Sequence, residues 1–175
     1  MTGVQTCALP IWIEEFSKQE TYHEKVSKLK CFLGIQTITA MSLIVETGDF
    51  TRFRKGDVYA HYLGLTPSEN SSGDSIHRLG ISKAGNSHLR RLLIEASQSA
   101  SRGRIGYKSM SLRRKQEGNT PEVIAYADKA NIRFRSKYYR LINKGKKKNT
   151  AVAAVAREMA CFVWGMMTNR IGVLT

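Results

Sequence analysis

A serine followed by several cationic side chains is the group of residues in this sequence best suited to chemistry. Ser72 directly precedes Gly73, and its hydroxyl is sterically open to an incoming phosphate because glycine adds no side chain beside it. Lys83 offers a compact positive charge, whereas the guanidinium groups of Arg90 and Arg91 can each hold two phosphate oxygens. These residue types are suited to phosphoryl transfer, in which the serine oxygen attacks a phosphorus atom.

The residues alone do not complete such a site. An attacking serine needs a base or a metal ion to take its proton, and no residue of this chain stands out for that role. The four histidines lack metal-ligand spacing, the 14 acidic residues form no obvious two-metal set, and no glycine-rich nucleotide-binding motif occurs. A Ser-Ser-Gly run is most often only a turn, so this interpretation stays open beside the catalytic one.

Positive charge is concentrated in the middle of the chain. Of the 28 Lys and Arg residues, 22 lie between residues 51 and 150, together with only 7 of the 14 Asp and Glu residues. This concentrated excess favours a polyanionic partner, most simply nucleic acid, although an anionic membrane surface or an acidic protein would also fit. The candidate nucleic-acid-binding residues are Lys83, Asn86, Arg90, Arg91, Arg102, Arg104, Lys108, Arg113, Arg114, Lys115, Lys146, Lys147 and Lys148.

The spacing of apolar residues predicts a mostly α, compact helical domain. Apolar residues recur near the helical period, and no segment shows the alternation of a convincing strand. The segment 64–82 is rich in Ser, Asn and Gly and is predicted as a long loop that carries the serine. The last helix is predicted to be a core helix rather than a membrane span, because it contains Arg157 and Glu158. The predicted helices cover residues 12–31, 37–47, 57–63, 84–101, part of 102–118, 121–143 (as one helix or as two joined near Asn131) and 150–168.

The predicted organisation has three parts. Residues 1–11 lack periodicity, caps and charge and look like translated sequencing adapter, so they are predicted to be an artefact outside the fold. Residues 12–32 predict a coiled-coil-like helix at the end of a linker, and residues 33–170 form the serine-bearing domain. Leu33-Gly34-Ile35 gives this domain a helix-hairpin-helix-like start. Its turn either presents backbone N–H groups to a phosphate or only connects two core helices.

Cysteine content and hydropathy bear on the cellular compartment. Cys7, Cys31 and Cys161 are too few and too scattered for a disulfide framework or a Cys-x-x-Cys metal site. No apolar run reaches the roughly 18 residues of a membrane span, and the N-terminus lacks the basic start of a signal peptide. We therefore predict a reduced, cytoplasmic protein without a membrane partner.

From Leu33 to about Asn169 the sequence resembles one domain of a known family. It is similar to the C-terminal transposase domain of bacterial insertion-sequence transposases that pair a DEDD domain with a serine. These are the bridge-RNA-guided recombinases, related to the pilin-gene invertases. The similar pieces, in order, are Leu33-Gly34-Ile35-Gln36, Ala40, Glu46, Gly48-Asp49, Phe53, Tyr62-Leu63-Gly64-Leu65-Thr66-Pro67, Ser72-Gly73, Ile81-Ser82-Lys83-Ala84-Gly85-Asn86, Leu89-Arg90-Arg91 and Glu95-Ala96.

The resemblance implies roles for individual residues. Ser72 would be the nucleophile that attacks DNA and becomes covalently attached, because the family's serine directly precedes glycine; Ser71 is its neighbour. The acids that bind Mg²⁺ and assist the serine would lie in an N-terminal DEDD domain outside this sequence, so we expect no cofactor in this chain. Leu33 and Gln36 replace the family's Pro and second Gly, and the turn there is therefore not predicted as a site.

Two hypotheses about function follow, with a third about assembly. The chain is either the serine-bearing part of a DNA transposase, inactive alone, or a nucleic-acid-binding fragment without chemistry of its own. The implied partners are DNA, a guide RNA and the DEDD domain, in a bacterial cytoplasm. The helix predicted over residues 12–31 has few apolar residues for a lone packed helix and could pair with a copy of itself. The resemblance also implies an oligomer, because exchanging strands between two duplexes needs more than one active centre.

Overall fold

The computed structural model of the protein describes the backbone of residues 5–72 and 75–171, and within them the side chains of residues 11–68 and 80–171. This part of the chain is mostly helical, as predicted. Its elements, in chain order, are α1 (Gln5–Ser17), α2 (Glu20–Lys30), α3 (Thr37–Thr47), a 3-10 turn (Phe50–Arg52), α4 (Gly56–Tyr62), β1 (Pro67–Ser72), β2 (Ser75–Ile81), α5 (Ser87–Ala100), α6 (Met110–Gln116), α7 (Pro121–Asn143) and α8 (Lys148–Met167).

The core is built around α8. This helix packs against α4, α5 and α7, and Val155, Met159 and Val163 are fully buried along it. Glycine permits the close approach to α7, since a Cβ on Gly165 would lie 2.2 Å from the Tyr126 hydroxyl. By length and composition α8 is able to cross a membrane, yet 67% of its most apolar stretch is buried inside the fold. That burial is what a core helix requires and agrees with the sequence prediction.

Aromatic rings fill the space between α7, α8 and the turn that follows α2. Phe162 of α8 lies 5.5 Å from Phe134 and 5.2 Å from Tyr126, measured between ring centroids. Phe32 contacts all three of these rings. Burying one such side chain contributes about 1.5–3 kcal/mol to stability, so α7 and α8 form a fixed base for the surface loops that they support.

The N-terminal region contains two helices where the periodicity predicts one. α1 ends at Ser17 and α2 begins at Glu20. The Ser17 hydroxyl donates to the Glu14 carbonyl at 2.7 Å, and such a local side-chain bond competes with continuation of the helix. α1 also reaches back to Gln5, so part of the segment 1–11, which is predicted to lie outside the fold, is helical.

The other predicted helices are all present, α3 and α7 with the predicted ends and the rest with shifted ends. The helix predicted from residue 84 begins at Ser87, because Asn86 caps it. The helix predicted within residues 102–118 is confined to α6, and α8 begins two residues earlier than predicted. α7 is one continuous helix that starts at Pro121, as proline at a first helical position predicts.

The largest difference from the prediction is a β-hairpin in the segment predicted as a loop. β1 and β2 pair antiparallel, from Pro67 opposite Ile81 to Ser72 opposite Ser75, with an irregularity after Pro67. β1 lacks the β-branched and aromatic residues that favour strands, and the apolar residues of β2 (Ile76, Leu79 and Ile81) do not alternate regularly, so the strand signal in the sequence is weak. Within the described residues no helix contacts the strands as extensively as they contact each other. The loop prediction is therefore wrong, and the serine-bearing segment is an arm that extends from the helices.

The turn between α2 and α3 is part of the core. Gly34 has a φ of +88°, and a Cβ there would lie 2.0 Å from the Ala96 carbonyl oxygen of α5. The Leu33 N–H donates to the buried Asn131 Oδ1 at 2.8 Å, and the Ile35 N–H donates to a carbonyl of the same turn at 3.3 Å. These two amides are not available to a phosphate, which favours a plain core connection over the phosphate-binding alternative.

The hairpin leaves the helices through two chain segments that cross at glycines. A Cβ on Gly64 would lie 2.0 Å from the Ala84 carbonyl oxygen, and one on Gly85 would lie 1.9 Å from the Tyr62 carbonyl oxygen. Both glycines also have a positive φ, +69° and +91°, which other residues rarely adopt. Only glycine therefore allows the two segments to approach this closely.

Gly85→Ala is expected to lower the free energy of unfolding by at least about 1–2 kcal/mol, since the positive φ alone costs that much and the new Cβ must also displace the Tyr62 carbonyl. For a chain of this size the Tm falls by roughly 2–8 °C. Gly80→Ala is the matched control, because no atom lies within 4 Å of a Cβ at this exposed strand position. Thermal unfolding followed by circular dichroism checks both variants, and equal Tm values would contradict the tight crossing.

Candidate nucleic-acid interface

Ser72 lies at the end of β1 farthest from the helices. Its backbone pairs with that of Ser75, and it lies about 17 Å along the strand from Pro67 at about 3.3 Å per residue. The Ser72 hydroxyl and Gly73 fall outside the described residues, as does the side chain of Ser71. The choice of Ser72 over Ser71 as nucleophile therefore stays a prediction from the sequence.

Arg90 and Lys83 lie at the other end, at the base of the hairpin. Arg90 Nη1 donates to the Leu63 carbonyl at 3.0 Å and to the Ala84 carbonyl at 3.4 Å, which joins the segments before β1 and after β2. The Lys83 N–H donates to the Gly64 carbonyl at 3.2 Å, while its side chain is exposed. The sequence prediction groups the serine with these two cations, but the structure separates them by the length of the hairpin.

Asn86 is bonded within the fold. Its Oδ1 accepts the Leu89 N–H at 3.0 Å, and its Nδ2 donates to Glu46 Oε2 at 2.8 Å. Glu46 Oε1 lies 2.5 Å from Nδ1 of the half-exposed His88. This group ties the start of α5 to the end of α3. No spacing signal in the sequence predicts the pairing of Glu46 with His88, because the two residues lie 42 positions apart.

Exposed arginines are concentrated around α6. Arg102 and Arg104 in the preceding loop, and Arg113 and Arg114 in the helix, are exposed and form no ion pair within the described part of the chain. Their guanidinium groups can therefore bind phosphates without first breaking an internal contact. Arg91 on α5 is also accessible, since its side chain is 68% exposed. Its one ion pair, with Glu95, is long at 3.9 Å and is exposed to solvent.

Two lysines of the same region are engaged inside the protein. Lys108 Nζ lies 2.7 Å from Asp128 Oδ2 on α7, and both side chains are partly buried. Lys115 Nζ donates to Gln36 at 2.7 Å, and its partial burial, together with the charge of nearby Lys30, lowers the pKa of its ammonium group. These lysines connect α6 to its neighbours, so they are weaker candidates for nucleic-acid contact than the arginines.

Three further candidates, Lys146, Lys147 and Lys148, are exposed at the turn between α7 and α8. Lys147 is the N-cap of α8 and makes no side-chain capping bond. Positive side chains oppose the positive end of a helix, so an anion bound at this turn would relieve the repulsion. This placement is compatible with their predicted contact to a nucleic-acid backbone.

The described residues offer neither a metal centre nor a reactive thiol. Within them no group of three or more His, Cys, Asp or Glu side chains could hold a metal ion. Burial raises the pKa of the Cys31 thiol to about 11 and that of Cys161 to about 12, so neither is a thiolate near neutral pH. These residues therefore do not fit a Mg²⁺ site.

The part of the chain that matches a known protein family contains the hairpin and the elements that hold it. Residues 26–111 match the family described as the Transposase IS116/IS110/IS902 family. The match runs from α2 to the start of α6 and includes Ser72, the hairpin base and the Glu46–His88 pair. This part of the chain therefore resembles a transposase domain of the IS110/IS116 family.

The chain is also similar to individual proteins, each of which is considerably longer. It is 36% identical over 155 residues to the "Putative transposase y4qE" of Sinorhizobium fredii, a match that covers 88% of this chain and 39% of that protein. It is 32% identical over 142 residues to the transposase for insertion sequence element IS1533 of Leptospira borgpetersenii, covering 77% and 39%. It is 32% identical over 107 residues to the pilin gene-inverting protein of Moraxella bovis, covering 60% and 33%. The chain thus spans less than two fifths of the length of these relatives.

Arg90→Ala is expected to loosen the base of the hairpin. Two hydrogen bonds from a charged donor are lost, and a loss of about 1.5 kcal/mol speeds hydrogen exchange in the segments 63–66 and 82–85 about tenfold. Arg91→Ala removes the same side chain from the adjacent, exposed position and should leave that exchange within about twofold of the unmodified protein. Hydrogen–deuterium exchange with mass spectrometry measures both, and equal exchange in the two variants would show that Arg90 does not hold the hairpin.

Proposed function

We propose that this chain is the C-terminal, serine-bearing part of a DNA transposase and that Ser72 attacks a phosphodiester bond of DNA. The observation that supports this most is the hairpin, which lies inside the family match. Ser72 ends its first strand, while glycine contacts and Arg90 fix its base. A nucleophile on such an arm can reach a DNA strand without an equally close approach of the helices.

The proposed reaction is a transesterification. A bond forms between Ser72 Oγ and phosphorus, the bond between phosphorus and one sugar oxygen breaks, and the number of phosphoester bonds stays constant. The serine proton passes to a base, and the departing sugar oxygen takes up a proton. A sugar hydroxyl of a second strand then attacks the seryl phosphodiester, releases the serine and completes the exchange, so no nucleotide cofactor is consumed.

The acidic residues needed for this step would come from outside the chain. In the proposed complete protein, Mg²⁺ held by a DEDD domain would supply the positive charge that activates the serine. Lys83 and Arg90 lie at the far end of the hairpin, about 17 Å from Ser72 along the strands. The cation of the hairpin nearest to Ser72 is Arg78 of β2, which stands opposite Glu69. A further copy of the protein or the DEDD domain would add to this single charge, which is a reason to expect an oligomer. A guide RNA would select the target by base pairing.

The second candidate function is nucleic-acid binding without chemistry. It is favoured by the lack of a metal-ligating group among the described residues, together with the exposed arginines around α6. Both candidate functions require the same DNA-binding surface, because a complete transposase must also bind DNA. They differ in whether a chemical step follows binding. We therefore expect the chain by itself to bind DNA without cutting it.

Ser72→Ala in the complete transposase, with its DEDD domain present, is expected to abolish the covalent protein–DNA adduct, because the attacking oxygen is removed. Ser71→Ala is the matched control and should retain the adduct. Denaturing gel electrophoresis of the protein with labelled target DNA resolves the adduct from free protein. An adduct formed by the Ser72 variant and lost in the Ser71 variant would assign the nucleophile to Ser71 instead.

DNA binding by the chain is expected to be strongly dependent on salt. If six to ten phosphates are neutralised, affinity falls by about 10³–10⁵ between 50 and 200 mM salt. Arg114→Gln should lower the slope of log affinity against log salt by about 1, whereas Lys25→Gln, an exposed position on α2 outside the basic region, should leave it unchanged. Fluorescence anisotropy across a salt series measures these slopes, and salt-independent binding would rule out a phosphate-binding surface.

A further inference from the structure

The loop between α5 and α6 presents apolar side chains to solvent in the most basic part of the chain. Tyr107 and Met110 are 62% and 66% exposed, and Ile105 is 45% exposed. Arg102 and Arg104 are exposed in the same loop, and neither forms an ion pair within the described residues. Large apolar side chains left in solvent in this way are a sign of a binding surface, and the neighbouring charges favour a polyanion as its occupant.

Hydrogen bonds from α7 hold this loop in place. Arg135 is only 8% exposed, and its Nη1 donates to the carbonyls of Arg104 and Tyr107, each at 2.7 Å. The Tyr139 hydroxyl donates to the Gly103 carbonyl at 3.1 Å. No carboxylate of the described residues pairs with Arg135, so a buried charge, which is costly by itself, serves to fix the loop backbone. The Tyr107 ring therefore stands on a fixed backbone, and little conformational entropy is lost when it binds a ligand.

We propose that Tyr107 stacks on an unpaired base of single-stranded DNA while Arg102 and Arg104 hold the adjoining phosphates. Proteins that bind single strands combine exposed aromatic rings with a cationic surface, because the flat face of a base is available for stacking when the base is unpaired. This inference rests on the proposed DNA-binding function and specifies the state of the strand that is bound. A strand-exchange reaction supplies such a ligand, since it passes through opened duplexes.

A small cleft beside Tyr107 is where the edge of the stacked base would bind. It has a volume of about 120 Å³ and is lined in part by Tyr107, Lys108, Asp128 and Ile132. Lys108 and Asp128 neutralise each other at 2.7 Å, which leaves the phosphate-binding charge to the arginines. The cleft thus has an apolar wall beside the Tyr107 ring, while its polar side chains are bonded within the protein. Stacking and apolar contact, rather than hydrogen bonding, would therefore hold the base.

The test compares Tyr107→Ala and Tyr107→Phe in binding three labelled DNA ligands of equal length: a single strand, the same strand without bases, and a duplex. The Ala variant should bind the single strand about 5- to 150-fold more weakly. Its affinity for the base-free strand and for the duplex should change less than twofold, since phosphate contacts are untouched. The Phe variant keeps the ring and should bind the single strand as the unmodified protein does. Circular dichroism verifies that the exposed substitutions leave the fold intact.

The outcomes separate this inference from the proposed function. If the unmodified protein binds none of the three ligands, DNA binding itself is wrong and the stacking site with it. If it binds them but Tyr107→Ala binds the single strand unchanged, or weakens all three ligands equally, stacking on a base is excluded while DNA binding stands. Loss of affinity in Tyr107→Phe would likewise exclude stacking, because the hydroxyl would then be required. Tyr107-dependent binding of an RNA strand of the same sequence at least tenfold tighter than the DNA strand would overturn the assignment to DNA.

Discussion

Two chain segments pass each other very closely at the base of the hairpin. On each segment, a carbonyl oxygen of the other segment occupies the position where a Cβ atom would otherwise lie. Gly64 faces the Ala84 carbonyl, and Gly85 faces the Tyr62 carbonyl. Every other feature of the serine-bearing arm depends on this crossing, because it sets where β1 starts and where β2 ends. Without it, the strands could still pair with each other, but their direction relative to the helices would not be fixed.

Arginine side chains are used twice in this protein to hold a surface segment by its backbone. Arg90 bonds two carbonyls at the hairpin base, and Arg135 bonds two carbonyls of the loop before α6. A guanidinium group suits this purpose because it stays charged and donates several hydrogen bonds in one plane. Part of the positive charge that suggests a nucleic-acid partner is therefore structural, and the binding surface is smaller and more localised than the composition implies.

The sequence predicted most helices because their signals are local. Pro121, with its fixed φ, predicts the start of α7. The apolar residues of α8 predict that this helix is buried, and they are buried in the structure. The hairpin was missed because β1 is made of serine, asparagine and glutamate rather than of strand-forming residues, although the Gly73-Asp74 pair in the sequence is a known hairpin signal. The roles of Arg90 and Arg91 could not be distinguished either, because adjacent arginines look alike in sequence, whereas one clamps carbonyls and the other is 68% exposed.

The types of the candidate site residues could be read from the sequence, but their arrangement could not. Asn86 has the donors and acceptors of a phosphate ligand, yet capping α5 and bonding Glu46 use its side chain. These contacts depend on the packing of α3 against α5, which no short motif encodes. The pairing of Glu46 with His88 depends on the same packing, so it becomes visible only when the two helices are in place.

The separation of Ser72 from the cations at the hairpin base constrains how the proposed reaction could work. A phosphate attacked about 17 Å from Lys83 and Arg90 along the strands gains little from either charge, because solvent screens charges beyond about 10 Å. Bending the strands to close that distance would break the backbone ladder that holds Ser72 opposite Ser75. It is less costly to bring a second cationic surface to the tip of the arm. On the proposed mechanism, Arg78 of β2, opposite Glu69, is the cation of the hairpin nearest to Ser72. One charge does not neutralise an attacked phosphate and its transition state, so the proposed mechanism favours a reaction centre completed by another domain or another copy.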